Sequence, residues 1–149
     1  MLRIASFFFA LALLTLPLAA LADEPAEAPA RKGKLVFVAM TGLEDIGTLS
    51  SSFRHAIAAK KSGHLSDVVW ISWGRAVVSL DPTVKAVPES VREQARLAKE
   101  AGVRLVACGQ ALGKYDIDPK TTTPRVEVVS NGVTELAKLV AEGYEVLRY

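Results

Sequence analysis

The sequence has a single cysteine, Cys108, and only two histidines, His55 and His64, among its 149 residues. One cysteine cannot form a disulfide within the chain, which excludes the small secreted folds that depend on several disulfides. These three residues also lack any spacing typical of a zinc site. The phosphate-binding patterns GxGxxG and Walker A and the nucleophile pattern GxSxG are absent. The sequence therefore predicts no metal and no cofactor.

Neither sign of charge dominates the composition. The chain has 18 Lys and Arg residues against 16 Asp and Glu residues, for a formal net charge of +2. The basic residues are scattered, and no run is longer than pairs such as Lys60-Lys61. Because nucleic-acid-binding proteins usually cluster their basic residues, the sequence gives no support for nucleic acid or an acidic surface as a partner.

The first 22 residues have the features of a secretory signal peptide. Arg3 supplies the positive charge, Ile4–Leu18 is almost wholly apolar, and Ala20–Ala22 is a small-residue cleavage site. An uncleaved membrane anchor is the alternative, because this segment approaches the length of about 17–20 residues that a membrane-spanning helix needs. Cleavage after residue 22 is the favoured interpretation. It predicts a periplasmic or secreted protein with no stable membrane span.

The remaining chain is predicted to form one domain preceded by a short leader. Residues 23–33 are rich in proline, alanine and charge, which is typical of a flexible segment. Residues 34–149 are long enough to bury one hydrophobic core.

Strand patterns and helix patterns alternate along this domain. Short apolar runs predict strands at Lys34–Thr41, Asp67–Trp73, Val103–Cys108, Val126–Val129 and Tyr144–Arg148. Helical spacing predicts helices at Thr48–Lys61, from about Pro88 or Ser90 to Ala101, and from Asn131 to Gly143, with a short turn at Gln110–Lys114. Strands joined through helices are parallel. The predicted fold is a three-layer α/β/α sandwich around about five mostly parallel strands.

This fold predicts where a ligand binds. In a parallel sheet the segments that follow the strands emerge at one edge, and ligands bind there. The segments 41–47, 74–87 and 109–125 therefore share an edge with Cys108. Gly74–Val87 is predicted to be irregular, with a short extended piece at Ala76–Val78.

Cys108 ends a predicted buried strand and is followed by Gly109 and a helical turn. Free backbone N–H groups at such a turn carry partial positive charge and favour an anion such as a thiolate. The competing interpretation is a packed, inert cysteine that behaves as a small apolar side chain. Position alone does not decide between these two interpretations.

Several segments together resemble a known family. They are Lys34–Met40 with Thr41–Asp45, Trp70–Gly74 with Ala76-Val77, Ala101–Val103 leading into Val106–Leu112, Asn131–Val133, and Gly143–Leu147. In this order the chain resembles the DsrE/DsrF-like family of small sulfur-relay proteins, which includes the YchN-like proteins. The resemblance implies a flavodoxin-like sheet, a homo-oligomer (trimer or hexamer), and a persulfide carried on Cys108.

The predicted function is therefore an exported carrier that takes sulfane sulfur on Cys108 and passes it to a partner thiol. Its donors and acceptors would be a partner thiol protein or a small sulfur compound. Around Cys108, the expected substrate-binding residues are Gly109, Gln110, Gly74 and Arg75.

Two further side chains, Lys114 and Tyr115, are candidates for the pocket, whereas Asp45 is interpreted as architectural. The alternative function is a non-catalytic oligomeric binding module with a structural cysteine. A third hypothesis is redox sensing through a disulfide between chains. The sequence leaves open whether the protein is an enzyme of the sulfurtransferase type.

Overall fold

The computed structural model describes residues 32–149. The predicted signal peptide and nearly all of the leader lie outside these described residues. The strands are β1 (Gly33–Ala39), β2 (Leu65–Ser72), β3 (Arg104–Cys108), β4 (Glu127–Val129) and β5 (Tyr144–Arg148). The helices are α1 (Ile46–Lys61), α2 (Glu89–Glu100), α3 (Gly109–Lys114) and α4 (Gly132–Ala141), with 3₁₀ segments at Leu43–Asp45 and Gly74–Leu80.

The five strands form one wholly parallel sheet in the order β4-β3-β2-β1-β5. Strands β1 to β4 are therefore successive neighbours, and the chain then crosses the whole sheet through α4 to add β5 beside β1. The order differs from the 2-1-3-4-5 order of flavodoxin itself. The predicted three-layer α/β/α sandwich is confirmed.

Alternate residues of the strands face two separate cores. Phe37, Trp70 and Leu105 pack with residues of α1 and α2 on one face of the sheet. Val38 and Ile71 face the opposite side and pack with Leu139 of α4. One face thus carries two long helices, and the other is covered by α4. Among residues 32–149, no helix has both the length and the apolar character needed to cross a membrane.

Two local expectations about helix starts are settled by hydrogen bonds. Asp45 caps α1, since its carboxylate accepts hydrogen bonds from the backbone N–H and the hydroxyl of Thr48. Of the two predicted starts of α2, Ser90 is not the cap residue, because the first helical residue is Glu89. Pro88 occupies the cap position of α2 without a side-chain hydrogen bond, and its carbonyl accepts from the N–H of Val91. Proline suits this position because the residue needs no N–H there.

The segment after β2 is also different from the prediction. Gly74–Leu80 is a 3₁₀ helix, whereas we expected irregular or extended chain. Side chains three residues apart lie on one side of a 3₁₀ helix. Val77 and Leu80 have this spacing and are both fully buried. The hydroxyl of buried Ser79 donates to the carbonyl of Ala76 at 2.7 Å, so this buried segment satisfies its polar groups locally.

A buried hydrogen bond ties α1 to the centre of the sheet. The indole N–H of Trp70 donates to the hydroxyl of Ser52 at 2.9 Å, and that hydroxyl donates to the carbonyl of Leu49. Phe53 stacks on the Trp70 ring with centroids 4.2 Å apart. Trp70 and Ser52 are fully buried, so the hydroxyl is the acceptor that allows an indole in this core.

We expect Ser52→Ala to lower the free energy of unfolding by about 1–3 kcal/mol, because it leaves the buried Trp70 N–H without an acceptor. Urea unfolding followed by tryptophan fluorescence measures the change. Ser51→Ala is the matched control, since Ser51 is only half-buried and its hydroxyl accepts from exposed Arg54. Its effect should stay within about 0.5 kcal/mol. Equal unfolding midpoints for the two variants would contradict the role given to Ser52.

Candidate functional site

A cleft opens at the carboxyl edge of the sheet, between the ends of β3 and β4. The chain leaves β3 into α3, which packs on the α1/α2 side, and leaves β4 into α4, which covers the opposite face. Such a divergence leaves a crevice outside the strand ends, where α/β proteins bind ligands. The crevice here has a volume of about 260 Å³. It is lined by Trp73, Gly74, Cys108, Gln110, Ala111, Lys114, Asn131, Gly132 and Val133.

Cys108 lies on the wall of this cleft. It is the last residue of β3 and the residue from which α3 starts. Only 5% of its surface is exposed, so the thiol borders the cleft without projecting into solvent. It is a free cysteine. A ligand in the cleft can therefore reach the sulfur, while bulk solvent contacts it little.

Gly132, the first residue of α4, is the reason that this helix approaches Cys108 so closely. A Cβ atom at position 132 would lie 2.7 Å from the Trp73 ring and 3.1 Å from the Cys108 Cβ. Real Cβ atoms essentially never lie as close as 2.7 Å to another atom, so a larger residue here would force either the helix or the Trp73 ring to shift. The first N–H groups of a helix have no acceptor within it, and they carry partial positive charge. Glycine thus brings the positive end of α4 to the cysteine.

The polar side chains of the cleft are Lys114, Gln110 and Asn131. Asn131 caps α4 by accepting a hydrogen bond from the Thr134 N–H at 3.0 Å, at the predicted start of this helix. Its amide nitrogen donates to Gln110 Oε1 at 2.9 Å. No Asp or Glu is among the described residues that line the cleft, and Lys114 brings a positive charge. The electrostatic character of the cleft therefore favours an anion.

Of the five residues that the sequence placed at the site, three line the cleft: Cys108, Gln110 and Gly74. Gly109 faces β4, since a Cβ there would lie 3.1 Å from the Val129 carbonyl oxygen. Arg75 is also outside the lining.

The Arg75 guanidinium pairs with Glu44 at 3.5 Å, and both side chains are largely exposed. That pairing turns the arginine toward the loop after β1. Lys114 lines the cleft, and Tyr115 is not among its lining residues.

Five lining residues were not assigned to the site from the sequence: Trp73, Ala111, Asn131, Gly132 and Val133. Asn131 was assigned only to the start of the last predicted helix, and Trp73 only to the end of the second predicted strand. The sequence did contain one indication of this. Asn131 follows a predicted strand, which places it at the same edge of the sheet as Cys108. Its closeness to Cys108 depends on β3 and β4 being neighbours, which is a long-range property.

The remaining candidate groups lie apart from the cleft lining. The hydrogen bonds from the Thr48 hydroxyl and N–H lower the pKa of Asp45, consistent with a capping role. His55 is exposed, and its Nδ1 lies 2.6 Å from the hydroxyl of Tyr149. Within residues 32–149, no three His, Cys, Asp or Glu side chains are grouped so that they can hold a metal ion.

Comparison with solved structures supports the same fold. The YchN protein from E. coli matches with a TM-score of 0.67 and 21% identity, covering 78% of this chain and 99% of that one. MTH1491 from Methanobacterium thermoautotrophicum, described as a protein of unknown function, matches with a TM-score of 0.61, 21% identity, and the same coverage of both chains. BT1422 from Bacteroides thetaiotaomicron, a conserved protein of unknown function, matches with a TM-score of 0.63 and 18% identity, covering 78% and 94%.

No curated protein matches the chain. The family model of the DsrE/DsrF-like family matches residues 33–149, which is the whole of the domain described above. The cysteine-bearing cleft therefore lies within the matched region. This chain belongs to the DsrE/DsrF-like family.

Proposed function

We propose that this protein is an exported carrier that holds sulfane sulfur as a persulfide on Cys108 and passes it to a partner thiol. Family membership suggests a role related to sulfur relay. The observation that carries the finer proposal is the position of Cys108, whose thiol borders the cleft at the point where two helices begin. Export rests on the features of residues 1–22, which predict a periplasmic or secreted location.

The chemistry needs no cofactor and no net oxidation. The Cys108 thiolate attacks a sulfane sulfur, a bond forms between the two sulfur atoms, and the donor leaves with its electron pair. In the second step the thiolate of the partner attacks the outer sulfur, and Cys108 leaves as a thiolate. The attacking thiolate and the persulfide are both anions, and the N-terminal end of α4 and Lys114, which line the same cleft, favour an anion there.

We expect purified protein to gain the mass of one sulfur atom after incubation with inorganic polysulfide, and to transfer that sulfur to free cysteine. Intact-protein mass spectrometry measures both steps. Cys108→Ser is the control and should gain nothing, because the serine hydroxyl cannot form a persulfide. A wild-type protein that gains no sulfur would instead support the alternative, a binding module with a structural cysteine.

The close approach of α4 provides a second test. Gly132→Ala places a methyl group against the Trp73 ring and the Cys108 side chain, so the helix or the ring must shift. We expect sulfur loading of this variant to slow several-fold. The matched control is Gly113→Ala on α3, where a Cβ would meet nothing within 4 Å. Stopped-flow or quenched loading assays compare the two rates, and equal rates would argue against a site that depends on this contact.

We also propose that the protein assembles with further copies of itself. Three residues of α4 support this: Val133, Ala137 and Val140 form an exposed apolar stripe along the helix, with Val133 61% and Val140 50% exposed. Val133 and Val140 are seven residues apart, about two helical turns, with the small Ala137 between them. The same helix of a second copy, running antiparallel, therefore places each Val133 near a Val140. Exposed apolar patches of this kind mark interaction surfaces.

For this assembly, Val140→Lys is expected to reduce the molar mass in solution, because the new charge would be buried against the second copy. Glu142→Lys is the control, since position 142 is exposed immediately after the same helix and lies outside the stripe. Size-exclusion chromatography with light scattering gives the masses. The proposal fails if the wild-type protein is monomeric, or if both variants have the wild-type mass.

A further inference from the structure

Two amide side chains of the cleft form a hydrogen bond whose direction is determined. Asn131 Oδ1 accepts from the backbone N–H of Thr134, and a backbone N–H can only donate. The other end of the Asn131 amide is therefore its nitrogen, which can only donate as well. Its partner atom on Gln110, at 2.9 Å, must be the acceptor Oε1. The helix cap thus fixes the orientation of the Gln110 amide.

This orientation leaves the Gln110 NH₂ group at the other end of the amide, with no hydrogen-bond partner among residues 32–149. Gln110 and Lys114 both line the cleft beside Cys108, and both present N–H donors. None of the described residues that line the cleft has a carboxylate. Two donors, one of them charged, match the oxygens of an anion better than they match a neutral or apolar group.

We propose that Gln110, held by Asn131, is the specificity-determining donor of this cleft, and that its ligand is the oxyanion end of a thiosulfate-class sulfur donor. This inference rests on the proposed role of Cys108 as a sulfur carrier. The cleft volume of about 260 Å³ accommodates such a small ion. Asn131 does not touch the donor in this scheme, and it acts as a positioning residue through Gln110.

The transfer step balances without any other reactant. The Cys108 thiolate attacks the sulfane sulfur of thiosulfate, a new sulfur–sulfur bond forms, and the sulfur–sulfur bond of thiosulfate breaks. The electron pair of that bond leaves with the sulfite. The products are a persulfide anion on Cys108 and a sulfite dianion, so the total charge is unchanged. The electron pair of the broken bond develops on the departing sulfite, whose oxygens the Gln110 NH₂ group and the Lys114 ammonium stabilise.

The test compares the rates of Cys108 loading from thiosulfate and from inorganic polysulfide, which carries no oxygen. Gln110→Met keeps the length of the side chain and removes its donor. We expect loading from thiosulfate to fall about tenfold, the effect of losing one hydrogen bond to an anion. Loading from polysulfide should change less than about twofold. Gln94→Met, a glutamine on α2 outside the cleft lining, is the matched control and should leave both rates unchanged.

Asn131→Ser tests the positioning role, because serine still caps a helix but has no amide nitrogen for Gln110. We expect Asn131→Ser alone to slow loading of Cys108 from thiosulfate but not from polysulfide. In the double variant with Gln110→Met, it should slow loading from thiosulfate no further than Gln110→Met does alone. An equal effect of Gln110→Met on both donors, or no effect, overturns the inference. Loading of wild-type protein from polysulfide but not thiosulfate also overturns it and leaves the carrier proposal intact. Loading from neither donor overturns both.

Discussion

The close packing of Gly132 against Cys108 and Trp73 determines the shape of the site. It brings the start of α4 to the end of β3, although α3 and α4 leave the sheet toward opposite faces. The gap between the two helices is a cleft that has a thiol on one wall and the positive end of a helix beside it.

Cys108 combines burial with polar surroundings. Only 5% of its surface is exposed. The cleft that it lines also contains the start of α4, the Lys114 ammonium, and no carboxylate among its described lining residues. These groups favour an anion in the cleft. A cysteine that serves only as a small apolar side chain does not depend on such neighbours.

The general position of the site follows from local sequence patterns, whereas its detailed composition does not. An apolar run ending at Gly109 places Cys108 at the carboxyl edge of a parallel sheet, and the same rule brings Gly74 and Gln110 to that edge. The direction of a long side chain depends on its partners in three dimensions. Arg75 follows Gly74 in the sequence, yet its pairing with Glu44 takes it away from the cleft. No local pattern contains that information.

A nearly buried cysteine is well suited to carrying sulfur and poorly suited to exchanging disulfides with large partners. A macromolecular disulfide must bring its own sulfur to the Cys108 sulfur, past the residues that cover it. A persulfide, in contrast, extends the side chain by one sulfur–sulfur bond of about 2 Å. Because Cys108 borders the cleft, that extension moves the reactive atom into the open space. The outer sulfur is then available to an acceptor thiol while the cysteine itself stays protected. Burial of the attachment point therefore favours the carrier role over redox sensing through a disulfide between chains.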